Sequence, residues 1–195
     1  MQLDVRPLAG DALDAALDDV AGLRIAVFRD FPYLYDGDAE YERRYLQPYR
    51  DSDDAIVVGA FDGARLVGAA TAAPLEDHAG DFAAAFDGTG LRLEDIWYCA
   101  ESVLLPEYRG QGIGHRFFDL REAQGRALGR RHVTFCSVMR PRDHPARPER
   151  YRPLDGFWRK RGYAPLDGVV AEFAWKDLGE AEETRKRLQF WMKDL

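Results

Sequence analysis

The sequence predicts a single α/β (α+β) domain over residues 1–195, a mixed central β-sheet flanked by helices. Three observations lead there. The apolar run Ile96–Leu105 ends at Pro106 and a glycine-rich turn that opens into a helix, and a second apolar run, Val133–Met139, follows that helix. A strand–helix–strand unit of this kind pairs its strands in parallel. Asp62-Gly63 separates two β-rich runs and marks an antiparallel hairpin. With 195 residues the chain can bury one substantial core, whereas two would be small. No repeat, low-complexity stretch or linker divides it.

In order, Gln2–Arg6 alternates and reads as a short first strand. Asp11 is placed as the N-cap of a helix whose Leu13, Ala16, Leu17, Val20, Leu23 and Val27 form one apolar stripe. The aromatic segment Phe31–Gly37 breaks that helix. A second helix starts near Asp38, with Tyr41, Tyr45 and Tyr49 on one side, and Pro48 is expected to end or kink it. Ala55–Phe61 and Arg65–Ala72 are the hairpin strands, and Asp77–Asp87 is a short helical insertion. After the strand–helix–strand unit, Arg140–Pro153 holds four prolines and five arginines and reads as a loop. Asp155–Arg161 is a short helix closed by Gly162, and Val169–Trp175 is placed as the last strand. Thr184, Leu188, Trp191 and Leu195 have helical spacing, so the segment beyond Gly179 is expected to be a helix packed on the body.

The net charge of −7 argues against a general nucleic-acid binder and is compatible with cationic amine acceptors. Cys99 and Cys136 lie in strand-like runs without metal-ligand spacing, so a reduced, cytoplasmic protein without a metal is expected. The segment Met1–Pro7 lacks the basic and apolar regions of a signal peptide, and no apolar run approaches membrane-spanning length.

The stretch Val103-Leu104-Leu105-Pro106-Glu107-Tyr108-Arg109-Gly110-Gln111-Gly112-Ile113-Gly114 carries the most chemistry. A helix N-terminus presents unpaired N–H groups and a positive dipole end, which together make an anion site. A side chain on Gly112 or Gly114 would stand between those amides and the ligand. The spacing is neither the dinucleotide fingerprint nor the P-loop, which needs a lysine absent here. The pattern Arg109-x-x-Gly112-x-Gly114, preceded by strand, proline and tyrosine, resembles the coenzyme A pyrophosphate loop of the GNAT superfamily of N-acetyltransferases.

The resemblance is sharp at 103–118, loose elsewhere, and covers most of the chain. It implies a GNAT-like fold with a splayed pair of parallel strands and acetyl-CoA between them, by position Ile96–Leu105 and Val133–Met139. It also implies that pantetheine pairs with backbone near Val103 and Leu104, and that the pyrophosphate meets amides of Gly110, Gln111, Gly112, Ile113, Gly114 and His115. Arg109 would brace the loop or meet phosphate. The implied reaction is attack of a neutral amine on the thioester, so a base must first take a proton from an ammonium of pKa near 10.4. Backbone N–H groups on the splayed strand would stabilise the oxyanion.

Glu101, a charge inside an apolar strand, is the candidate base, with Glu94 and Asp95 as fallbacks. Strand alternation puts Glu101 on the face of Cys99 and Val103 unless a bulge intervenes. A paired structural glutamate is the competing reading. Family members often carry a tyrosine acid in the late helix, where this chain has Trp158, and an indole N–H is not a useful acid. Tyr98, Cys136, Ser137, Tyr151 or solvent are left as substitutes, and the asparagine common after the second splayed strand is missing.

Phe31, Tyr33 and Tyr35 are candidate walls of the acceptor site, with plain core packing as the alternative. Arg140, Arg142, Arg147, Arg150 and Arg152 would meet an acidic acceptor or the cofactor's 3′-phosphate, or remain solvated. His144 has no metal-site partners and reads as structural. The expected activity is acetyl transfer from acetyl-CoA to a small-molecule primary amine. A protein N-terminal or lysine acetyltransferase and a catalytically silent acyl-CoA-binding module are the alternatives, and a homodimer is left open.

Overall fold

The apolar runs pair into one seven-stranded sheet, seen in a computed structural model that describes residues 3–195. The strands are β1 (Asp4–Leu8), β2 (Ile56–Asp62), β3 (Arg65–Pro74), β4 (Ile96–Leu104), β5 (His132–Val138), β6 (Ala164–Trp175) and β7 (Thr184–Asp194). Their order is β1-β2-β3-β4-β5-β7-β6, and only β4 and β5 run parallel. The first strand lies two residues later than its alternation suggests, and Gln2 is outside the described residues. The β2–β3 hairpin turns at Gly63-Ala64, where Gly63 has φ 60°, a left-handed conformation that glycine adopts without steric cost.

Helix α1 (Asp11–Phe28) is capped by Gly10, with Asp11 as its first helical residue rather than its cap. There the Asp11 carboxylate still complements the positive end of the dipole. Helix α2 (Ala39–Asp51) begins where Asp38 accepts the Tyr41 N–H at 2.7 Å. Pro48 sits inside the last turn, and the helix closes after it with Ser52 N–H donating to the Pro48 carbonyl. The insertion forms α3 (Ala79–Phe86), whose Phe82 and Phe86 pack against Ile96, Tyr98 and Phe190. Helices α4 (Ile113–Ala127) and α5 (Asp155–Lys160) cover the opposite face, packing on Trp97, Cys99 and Phe135.

The C-terminal segment corrects the sequence reading. Residues 184–194 form β7, inserted between β5 and β6, not a helix. Lys186, Leu188 and Phe190 are buried at a period of two on one face, and Trp191 is buried on the other. Lysine on the buried side hid that alternation: its ammonium donates to the Trp175 carbonyl at 2.7 Å and pairs with Asp177 at 3.2 Å. Consequently Val169–Trp175 belongs to an edge strand and is not the last one.

Gly125 lies in α4 over the buried Trp97, and a Cβ there would come within 2.8 Å of the indole. Alanine normally stabilises a helix interior relative to glycine. Here overpacking prevails, so Gly125→Ala is expected to destabilise by about 1–3 kcal/mol. A urea denaturation midpoint at or above that of the native chain would contradict this packing.

Candidate active site

Strands β4 and β5 pair only at Ile96–His132, Trp97–Val133 and Tyr98–Thr134, although β4 runs on to Leu104 and β5 to Val138. Beyond Tyr98 the strands separate, and a cleft of about 1030 Å³ opens between them. On its far side β5 stays fully paired with β7. The Leu105 N–H donates to the Val67 carbonyl. In an antiparallel ladder alternate residues share an edge, so Val103 also faces β3 while the backbones of Ser102 and Leu104 face the cleft. Val103 itself is fully buried under α1 and α2, so of the two residues expected along the cofactor arm only Leu104 lines the cleft.

A bulge separates Glu101 from Cys99. Ala70 pairs with Ser102 and Ala72 with Cys99, so Ala100 and Glu101 together oppose Thr71. The extra residue reverses the parity of the strand. Cys99 therefore packs with Phe118 on the α4 side, whereas Glu101 reaches Arg24 of α1 and Tyr45 of α2. The expectation that Glu101 shares a face with Val103 holds, and the one that it shares a face with Cys99 does not. Arg121 of α4, 1% exposed, fills the irregularity. It donates to the carbonyls of Glu101 (2.8 Å), Thr71 (3.1 Å) and Phe117 (3.1 Å) and to Ser102 Oγ (2.8 Å).

At the mouth of the cleft, a turn over Pro106–Tyr108 leads into the glycine loop. Gly110 and Gly112 both have φ 79°, and Gly112 is the left-handed N-cap of α4. Tyr108 holds the loop to Asp62 at 2.9 Å, and Arg109 Nε donates to the Leu104 carbonyl at 3.2 Å. Among the described residues the N–H groups of Gly110 through Gly114 find no acceptor, and the first turn of α4 carries no acidic residue. Five successive free amides at a positive dipole end suit a phosphate or pyrophosphate. The His115 amide is not one of them, because it donates to the Gly112 carbonyl at 3.0 Å; its ring still lines the cleft. Arg109, Gly110, Gly112, Ile113 and Gly114 line the cleft, but Gln111 does not.

A second, smaller cavity of about 130 Å³ lies under α1, α2 and α3. Its floor is a buried charge cluster. Arg24 binds Glu42 through Nε and Glu101 Oε2 through Nη1 at 2.8 Å, with its guanidinium 3.9 Å from the Tyr45 ring centroid. Tyr45 donates to the same Glu101 oxygen at 3.1 Å. Glu42 Oε1 and Glu101 Oε1 are buried without a hydrogen-bond partner. Glu101, Ala100, Cys136, Tyr33 and Phe28 line both cavities, so the two spaces meet at Glu101. A carboxylate with one oxygen tied and the other free at such a junction can accept a proton.

The other sequence candidates divide. Tyr33 and Tyr35 line the smaller cavity, whereas Phe31 packs edge-on against Tyr151 and lines the larger cleft. Glu94 and Asp95 sit at the start of β4, near Arg92 and Arg131, outside both cavities. Arg140 makes a bidentate pair with Asp177 and donates to the Pro32 and Tyr33 carbonyls, so it ties loops together and meets neither an acceptor nor the cleft. Arg147 stacks on Tyr151, and Arg142 lines neither cavity, whereas Arg150 and Arg152 line the cleft. His144 accepts the Ala146 N–H within its own loop. Trp158 lies between Phe135 and Trp191 at the cleft wall. Tyr98 and Cys136 contact each other at 3.7 Å, and burial pushes the Cys136 thiol up to about 12 and the Tyr98 phenol well above its usual range. Ser137 Oγ accepts the Trp191 indole N–H.

Sequence reasoning missed Arg24, Glu42 and Arg121. Each interrupts a buried helix face: Arg24 follows Val20 by four residues, and Arg121 follows Phe117 by four. A charge at such a spacing was the available signal.

The sequence of residues 22–163 matches the model of the acetyltransferase (GNAT) family. No curated protein sequence matches the chain. Solved structures share the fold at low identity. A ribosomal-protein-alanine N-acetyltransferase from Brucella melitensis is 15% identical with a TM-score of 0.64, over 98% of this chain and 99% of that one. A GNAT-family acetyltransferase from Streptococcus pneumoniae is 16% identical with a TM-score of 0.60, over 100% of both chains. The protein yncA from Salmonella typhimurium, solved with its cofactor acetyl-CoA, is 12% identical with a TM-score of 0.62, over 99% of this chain and 94% of that one.

Arg121→Met would strip the donors from the bulge carbonyls, and buried acceptors left unpaired cost about 1–3 kcal/mol each. The expected loss of stability is about 3 kcal/mol, read from urea unfolding. An unchanged midpoint would mean that the bulge holds without Arg121.

Proposed function

The chain belongs to the acetyltransferase (GNAT) family, and we propose that it moves an acetyl group from acetyl-CoA to the primary amine of a small molecule. The observation that carries this reading is Glu101. Its Oε2 is fixed by Arg24 and Tyr45 while its Oε1 has no partner, and its side chain borders both cavities.

In this reading the larger cleft receives acetyl-CoA, which supplies the activated acetyl thioester. The free amides of Gly110–Gly114 hold the pyrophosphate, Arg109 braces their loop, and Arg150 and Arg152 meet further phosphate. The backbone of Ser102 and Leu104 offers the open strand edge to the cofactor's arm. The amine enters the smaller cavity as an ammonium and passes a first proton through Glu101 Oε1 to solvent; its neutral nitrogen then forms the new bond to the acetyl carbon and gives a second proton to Oε1 as the C–S bond breaks. Because Glu101 also borders the cofactor cleft, it can return that proton to the leaving sulfur, and no separate acid is needed where Trp158 stands.

The loop between α1 and α2 supports a small acceptor over a polypeptide. Its main chain is tied to the β6–β7 connection: Asp36 N–H donates to the Lys176 carbonyl at 2.9 Å and Leu178 N–H to the Leu34 carbonyl at 2.7 Å. This tether fixes the segments that carry Tyr33, Tyr35 and Trp175 onto the wall of the smaller cavity, whereas a peptide acceptor wants an open groove.

Gly112→Asp would add a carboxylate beside the free amides and force a side chain into a φ of 79°. Acetyl-CoA affinity is expected to fall by roughly 100-fold or more; equal affinity by calorimetry would displace the pyrophosphate from this loop. Glu101→Gln is expected to lower kcat roughly 100-fold or more, with the largest deficit at lower pH, where free amine is scarce. Thiol release from acetyl-CoA with pooled amines measures it, with unfolding measured alongside because Arg24 loses a counter-ion. An unaltered pH–rate profile would remove Glu101 from the reaction, and acetyl-CoA binding without transfer to any amine would favour a silent binding module.

A further inference from the structure

We infer that the acceptor is an organic cation that carries no carboxylate, an aryl- or alkylamine rather than an amino acid; this rests on the acetyl-transfer reading above. The smaller cavity sets three carboxylates, Glu42, Asp81 and Glu101, against one cation, Arg24. That cation is already engaged, since Nε and Nη1 hold Glu42 and Glu101 and its plane stacks on Tyr45. Two carboxylates already neutralise it, so a substrate carboxylate entering here would meet net negative charge and no unshared cation to offset its desolvation. His78 adds no charge, because burial lowers the pKa of its imidazole and leaves it neutral near pH 7.

Two buried carboxylate oxygens also wait for a donor. Glu42 is 0% exposed beside the Tyr35 phenol, and its Oε1 accepts no hydrogen bond of normal geometry, as is true of Glu101 Oε1. A carboxylate oxygen only accepts hydrogen bonds, and an ammonium offers up to three N–H groups. The remaining wall is aromatic, including Tyr33, Tyr41, Phe82 and Trp175. Burial raises the Tyr33 and Tyr41 phenols, so the wall stays uncharged and its ring faces favour a cation. The attacking amine binds at Glu101, and Glu42 and Asp81 repel a carboxylate elsewhere on the molecule.

Matched acceptors that differ only by a carboxylate test this: 2-phenylethylamine against phenylalanine, tyramine against tyrosine, and cadaverine against lysine. For each, kcat/KM is measured by thiol release from acetyl-CoA, and binding is measured by calorimetry on the protein saturated with CoA. The expected result is a preference for the carboxylate-free partner of roughly 100-fold or more in both readouts, since like charges brought together cost several kcal/mol. Asp81→Asn, at an exposed position of α3, is expected to narrow the ratio, and so is Glu42→Gln if it folds. Equal or better use of the amino acids would overturn the inference while leaving acetyl transfer intact. A binding preference without turnover of any acceptor would instead support the inference and overturn the acetyl-transfer reading.

Discussion

Two neighbouring strands that pair over three residues and then part leave the backbone groups beyond that point without their strand partner. Buried N–H and C=O groups are almost always satisfied in folded proteins. The gap between β4 and β5 is thus a demand for a partner, and much around it can be understood as meeting or directing that demand. The β5–β7 ladder keeps the far side rigid. Arg121 satisfies the carbonyls freed by the bulge, and the glycine loop sets unpaired amides at the open end. An extended ligand with polar groups along its length and an anion at one end suits such a slot.

The glycine loop was legible in the sequence because it is a local device. Glycine at fixed offsets before an amphipathic helix is required by backbone conformation, so the residues themselves carry the signal. Most elements were legible for the same reason, including the hairpin at Gly63 and the insertion that became α3. Strand β7 was not, because Thr184, Leu188, Trp191 and Leu195 imitate a helical period while Lys186 interrupts the true alternation. Periodicity assumes that buried means apolar, and a lysine satisfied by a carbonyl and a carboxylate breaks that assumption. The bulge at Ala100–Glu101 was unreadable in another way: a change of parity leaves no residue signature, although it decides which helices Glu101 faces.

The site combines elements distant in sequence. Arg24, Glu42 and Glu101 come from α1, α2 and β4, and no spacing rule connects them. Buried ion pairs contribute little net stability, because desolvation offsets most of their attraction. Their value here is positional. Two ties fix one oxygen of Glu101, which leaves the direction of the other determined by the fold. Glu101 stands out in the sequence as an isolated charge within an apolar strand, whereas the arrangement that holds it depends on tertiary packing alone.

Glu101 borders two cavities, and this has a thermodynamic corollary. Any molecule in the cleft changes the water, the field and the freedom of a carboxylate that also borders the smaller cavity. By linkage, the factor by which one occupant alters the affinity of the other is the same in both directions. A shared wall of this kind makes the two compartments reciprocal partners without requiring any backbone motion to carry the message between them.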